Sequence, residues 1–182
     1  INLLRDAMLD APLVFGDDTG VRILELQPAK RERTPGERTG TYTSGFVARG
    51  LEAHQPAVAL YASGRRHAGE NLDQLLRQRQ PGLPAPVHMC DGLSRNQPAA
   101  VSTQLAGCLA HGRRGFVEIA PHFPEECRQV LESLRAVYHF DAQAKRQALS
   151  PEQRLGFHQT HSQPVMEGLE LWLRQQIEQK RV

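Results

Sequence analysis

The sequence predicts an α/β protein: a mixed β-sheet with flanking helices over residues 1–110, then a helical stretch over 111–182. Three observations carry this expectation. Between residues 13 and 62, short apolar or alternating runs are punctuated by Gly, Asp and Pro, as half-buried strands are. Residues 67–110 interleave one helical spacing of leucines with two short apolar runs. From Pro124 onward, apolar residues recur every three or four positions, the period of an amphipathic helix.

Taken in order, Leu13, Val14 and Phe15 read as a strand closed by a tight acidic turn, Gly16 to Gly20. Val21 to Leu26 alternates, with Val21, Ile23 and Glu25 on one face, and reads as the next strand. Residues 27–40 hold four basic and two acidic groups with two prolines and two glycines. Such a composition buries no face and reads as a mobile loop. Tyr42–Val47 and Ala57–Ala62 supply two further strands. Leu72, Leu75 and Leu76 mark a helix over 67–79 that Pro81, Pro84 and Pro86 end. Pro86–Cys90 is a buried strand running into Asp91 and Gly92, and Gln104–Ala110 is another, with a helix opening near His111. Strands one to three are expected to be antiparallel, with the strand ending at Cys90 parallel to and beside the one ending at Gly16. Cys127, Val130, Leu131, Leu134, Val137 and Tyr138 form one helical stripe. Ser150, Pro151 and Gln153 make a capping box. The next stripe runs through Val165, Met166, Leu169, Trp172, Leu173 and Ile177, broken at Pro164, and suits an internal core contact better than a partner.

Composition narrows the class. The chain has 182 residues, one domain or one plus an appendage at about 150 residues per domain. Its 22 Lys+Arg against 20 Asp+Glu leave a formal charge of +2, so no global field draws in partners. Apolar residues at 40% and charged ones at 23% exclude disorder, collagen-like repeats and a disulfide scaffold. Cys90, Cys108 and Cys127 are widely spaced and odd in number, which fits free thiols in a reducing compartment. No run approaches the roughly 18 apolar residues of a membrane span, and no secretory leader is visible. The start at Ile1 and a final helical pattern without a stop signal read as the ends of a piece of a longer chain.

Asp17 and Asp91 are the first candidates for chemistry. Two carboxylates at neighbouring strand ends can hold divalent cations through hard oxygen ligands. Taken singly, an Asp before Gly or Thr is an ordinary turn residue, and the pairing is what singles these two out. Cys108, His111, His122 and Cys127 spell C-x2-H-x10-H-x4-C, on paper a zinc site. A helix over 111–122 would hold its two histidines about 16 Å apart at 1.5 Å per residue, too far for one ion. A half-buried Cys with a nearby capping His is the alternative. Arg113 and Arg114, with Arg65, Arg66, Lys30, Arg31, Arg33 and Arg38, offer phosphate contacts if they converge. Neither G-x-S-x-G nor a P-loop is present.

Three blocks, taken in order, carry a resemblance. They are Gly16-Asp17-Asp18-Thr19-Gly20-Val21, Cys90-Asp91-Gly92, and Gly107-Cys108-Leu109-Ala110-His111-Gly112-Arg113-Arg114-Gly115-Phe116. They resemble the insertion sequence sixty-six family of bacterial transposases, whose first block reads A-D-E-T-P-V and third G-C-x-A-H-A-R-R-K-F. Leu149 to Leu155, Pro164 and Trp172-Leu173 look like that family's helical stretch. The resemblance implies an RNase H-like core with a DDE site that cuts and joins DNA using two Mg2+ or Mn2+ ions. It also implies DNA at transposon ends and target as partner, a homo-oligomer on that DNA, no membrane, and a cytoplasmic, nucleoid-associated place in a bacterial cell. Asp17 matches the first acid and Asp91 the second. Asp18 stands where Glu is usual, and Gly20 where Pro is. The third acid belongs to an N-N-x-x-E block that does not occur up to Val182, so the expected set is incomplete here. The chain is then expected to bind DNA weakly through Arg113, Arg114 and residues 30–38, and to cut nothing. The alternatives are an inactive remnant, or a non-enzymatic zinc or nucleic-acid module on Cys108, His111, His122 and Cys127.

Overall fold

The computed structural model describes residues 2–26, 38–50 and 56–179, and they divide into two compact units, Ile1–Cys108 and Leu109–Val182. The first unit runs α1 (Asn2–Leu9), β1 (Leu13–Gly20), β2 (Tyr42–Arg49), β3 (Val58–Gly64), α2 (Ala68–Leu76), β4 (Val87–Cys90) and β5 (Gln104–Gly107). The strands form one sheet in the order β3-β2-β1-β4-β5. β1, β2 and β3 are antiparallel neighbours, whereas β4 lies parallel to β1 and β5 parallel to β4. Hairpin-type pairing followed by a helical crossover through α2 is what the switch in sequence period implied. Order and directions are those of an RNase H-like sheet with flanking helices.

Two expectations are corrected within β1. The acidic segment Gly16–Gly20 is strand, and Val21–Leu26 is not, holding only a 3-10 turn at Leu24–Leu26. The reason is that β2 offers a partner at every step, from Leu13↔Arg49 to Gly20↔Tyr42. Low intrinsic strand preference in Gly-Asp-Asp-Thr-Gly yields to this pairing. Gly16 is required by packing, since a Cβ there would lie 2.9 Å from His88 Nε2 and 3.2 Å from the Phe46 ring. Helix α1 had no clear signal because Leu3 and Leu4 are exposed and only Met8 and Leu9 are buried. The 27–40 loop, with Lys30, Arg31 and Arg33, lies outside the described residues apart from 38–40.

Strand alternation sorts the sheet into two faces. Val14, Phe46 and Ala48 pack with Met8 and Ala11 and with Ala68, Leu72 and Leu76 of α2 into one core. On β1 this is the face of Val14, Gly16 and Asp18, and Leu13, Phe15, Asp17 and Thr19 take the other.

The second unit, described by itself, comprises α3 (Leu109–Ile119), α4 (Pro124–Arg146), α5 (Pro151–His161) and α6 (Gln163–Glu178). The strand expected to reach Ala110 stops at Gly107, and α3 opens two residues before His111. Val130, Leu134 and Leu169 form the core, with Phe116, Met166, Trp172 and Leu173 against it. Tyr138 and Ile177, placed on the stripes from sequence, are exposed. Ser150 caps α5 as its capping box predicted: Gln153 N donates to Ser150 Oγ at 3.3 Å and Ser150 N to Gln153 Oε1 at 2.9 Å. Asp141 of α4 pairs with Lys145 at 2.7 Å and with Arg154 of α5. Burial pushes its carboxyl up, but the hydrogen bonds from Lys145 and Arg154 outweigh burial and hold it below the usual range. Among the described residues no helix is long and apolar enough to cross a membrane.

Candidate active site

Parallel register decides where the two acids fall. β1 and β4 pair at Leu13↔Val87, Val14↔His88 and Phe15↔Met89. That pairing ends two residues short of each acid: Asp17 follows within β1, and Asp91 comes directly after Cys90, the last residue of β4. Asp17 is therefore not at the end of β1, which continues along β2 to Gly20; it stands just beyond the end of the β1–β4 pairing. Both carboxylates also act on the Cys90 thiol. Burial pushes the Cys90 thiol up, the Gly92 amide partly offsets this, and the negative charges of Asp91 and Asp17, with Cys108, push it further.

The two carboxylates are held differently. Asp17 is exposed, and its Oδ1 accepts the Asp18 amide at 2.8 Å. Asp91 is half-buried, and its Oδ1 accepts both the Leu93 amide and Asn96 Nδ2, each at 3.0 Å. Both bonds fall on Oδ1. Carboxylate oxygens are hard donors of the kind Mg2+ and Mn2+ take, so the donor chemistry of the pair fits a divalent cation. Among the described residues no three Asp, Glu, His or Cys side chains gather as a metal-ligand group. Cys108, His111, His122 and Cys127 accordingly do not form the four-ligand zinc site their spacing spells. Cys127 is buried within α4, and all three cysteines are free thiols.

Asp18, the sequence neighbour of Asp17, does different work. Its side chain is only 5% exposed. Oδ2 accepts the Ala68 amide at 3.0 Å and His67 Nδ1 at 3.1 Å, and Oδ1 accepts Ser44 Oγ at 2.7 Å. Asn71 Nδ2 in turn donates to Ser44 Oγ at 2.8 Å. Asp18 thus caps the N-terminus of α2 from the core face of the sheet, where carboxylates are stabilised by free amides and the helix dipole.

The described basic candidates are held as follows, each within its own unit. Arg113 and Arg114 are exposed on α3. Arg65 donates to the carbonyls of Leu26, at 2.9 Å, and of Arg38. Arg38 pairs with Glu70 at 2.5 Å, and Arg66 donates to Gln74.

A family model described as the transposase IS66 family matches residues 1–182, the whole chain. The chain belongs to the IS66 transposase family. Neither a curated protein nor a solved structure matches it. An IS66 transposase is a protein that processes DNA. Sequence reasoning passed over Asn96. Its signal was available as a side-chain amide five residues after Asp91, within reach of a short turn.

Proposed function

We propose that Asp17 and Asp91 are two of the three acids of a DDE site that cuts and joins DNA strands during transposition, using Mg2+ or Mn2+. The observation that supports this reading is the parallel pairing of β1 with β4 in an RNase H-like sheet, which ends at Phe15↔Met89, two residues before each acid. Family membership of the whole chain supports it. Cations bound there would activate the attacking water or 3′-OH and stabilise the leaving oxygen. The protein's own part is to hold the two carboxylates in place, Asp17 through the β1–β2 ladder and Asp91 through the turn that follows β4.

The third acid belongs to an N-N-x-x-E block that residues 1–182 do not contain, and groups acting as a unit lose far more than a simple share when one is removed. On this reading residues 1–110 are the first part of the catalytic core and 111–182 a helical insertion. The chain by itself binds DNA weakly, through Arg113, Arg114 and basic residues of the 30–38 segment, and does not cut. On DNA the complete protein acts as a homo-oligomer. The test is plasmid nicking with Mn2+ by this chain and by a longer one carrying the missing block. Nicking by the longer chain alone, lost on Asp17→Asn or Asp91→Asn, is expected. Robust nicking by the 182-residue chain that is abolished by Asp91→Asn would refute the missing-acid argument, and nicking indifferent to both substitutions would refute the site.

A further inference from the structure

We infer that Asn96 is a positioning residue for Asp91: its buried amide ties down Oδ1 and so presents Oδ2 to a divalent cation. The inference rests on the two-acid reading above and adds a residue to it. Asn96 is 1% exposed, and its Nδ2 donates to Asp91 Oδ1 at 3.0 Å, beside the Leu93 amide at the same distance. With both donors on one oxygen, the carboxylate's rotation is fixed and Oδ2 is left as the cation ligand. A neutral donor suits this task, because it orders the carboxylate without neutralising it, whereas an acid there would repel it.

Asn96 can do this only if its own backbone is rigid, and three contacts make it so. Its amide closes a 3-10 turn onto the Leu93 carbonyl at 2.9 Å. The following carbonyl, of Gln97, sits so close to Gly69 of α2 that a Cβ there would lie 2.2 Å away. Beyond it, the buried Asp73 of α2 accepts the amides of Ala99, Ala100 and Val101 at 2.9–3.1 Å. The N-terminus of α2 is in turn capped by Asp18, next to Asp17. One helix therefore ties the strand carrying the first acid to the turn that orients the second. Ordering a ligand before the cation arrives removes an entropic cost from binding.

Hydrogen-bond partners behind a ligand typically contribute 10–100-fold in metal affinity. The probe is Mn2+ alone, titrated into the full chain and read by the electron paramagnetic resonance of free Mn2+, with thermal melts alongside. Asn96→Ala is expected to weaken Mn2+ binding about tenfold or more, and Asp17→Asn and Asp91→Asn to remove the site. If the two Asp variants remove it while Asn96→Ala stays within about twofold, the acid pair stands and the role of Asn96 is overturned. If the Asp variants leave binding unchanged, both fall. A merely structural Asn96 would lower the melting temperature without moving the dissociation constant. Should Asn96→Ala not fold, the wild-type chain decides: on Mg2+ titration the Asn96 side-chain amide protons are expected to shift along the binding curve, and their failure to move at saturation would overturn the assignment.

Discussion

Gly69→Ala sets two opposed effects against each other, and the structure says which wins. In a helix interior Ala is favoured over Gly by about 1 kcal/mol, and somewhat less in a first turn such as this one. Against it, the new Cβ would lie 2.2 Å from the Gln97 carbonyl oxygen, 2.7 Å from its carbon and 2.8 Å from the Arg95 oxygen. All three are backbone atoms, so no rotamer change relieves the clash. Ordinary contact begins near 3.4 Å, so the turn must retreat by about 1 Å. That displacement stretches the bonds from Ala99, Ala100 and Val101 to Asp73 beyond hydrogen-bond length. Bonds to a charged acceptor contribute about 1.5–3 kcal/mol each. Losing two of them, less the helical gain, makes the variant less stable by about 2–5 kcal/mol. Urea denaturation followed by circular dichroism measures this, and amide hydrogen exchange at residues 99–101 locates it. A variant as stable as the wild type, with unchanged protection at those amides, would refute the close approach of α2 and the turn.

Two further outcomes follow from buried groups near the site. Asp18→Asn is expected to destabilise the chain by about 1–3 kcal/mol, through loss of a helix cap and of charge-assisted bonds, while changing Mn2+ affinity less than threefold. Asp17→Asn should do the reverse, and calorimetry with Mn2+ titration on both variants would expose an exchange of these roles. His88 is fully buried, with both ring nitrogens unpartnered among the described residues, and burial pushes its pKa down. Its folded pKa therefore lies below the ordinary value of about 6.5, and an unfolded chain takes up the proton first. Stability contributed by the neutral ring is complete above about pH 6.5 and falls as pH drops toward the folded pKa, by at most about 1.4 kcal/mol per pH unit. His88→Leu should flatten this dependence. Parallel urea midpoints for both proteins between pH 7.5 and 5.5 would show that His88 is not its source.

What was legible in the sequence is what one-dimensional patterns encode. Leucines at 72, 75 and 76, the Ser150–Gln153 box and the apolar run before Asp91 each carry their own local signal, and each became the element expected. Gly16–Gly20 misled because a turn composition was judged without its partner strand. Nothing inside the segment says that Tyr42 to Phe46 will pair with it residue for residue. α1 stayed hidden for the opposite reason: two of its four leucine and methionine side chains, Leu3 and Leu4, face outward, so no stripe stands out.

The candidate site shows the same divide at the scale of one peptide bond. Asp17, which the resemblance matches to the first acid, is followed directly by Asp18, and adjacent acids suggest one shared site. Once the segment is strand, the two-residue period forbids that, because consecutive side chains leave opposite faces of the sheet. One acid must face α2 and the other must face away. The buried one finds an amide, a histidine and a serine hydroxyl waiting; the exposed one lies on the opposite face. The bonds from Asp18 to His67 and to the Ala68 amide show which is which, and such packing is a long-range property that no local pattern carries. The same holds for Asn96, whose amide reaches Asp91 because Gly69 and Asp73, more than twenty residues earlier, hold its turn in place. Contacts between α2, β1 and the 94–101 turn thus tie Asp18 and Asn96 to the segments that carry Asp17 and Asp91. Substitutions at Asp18, Gly69 or Asp73 would reach the site only through those contacts.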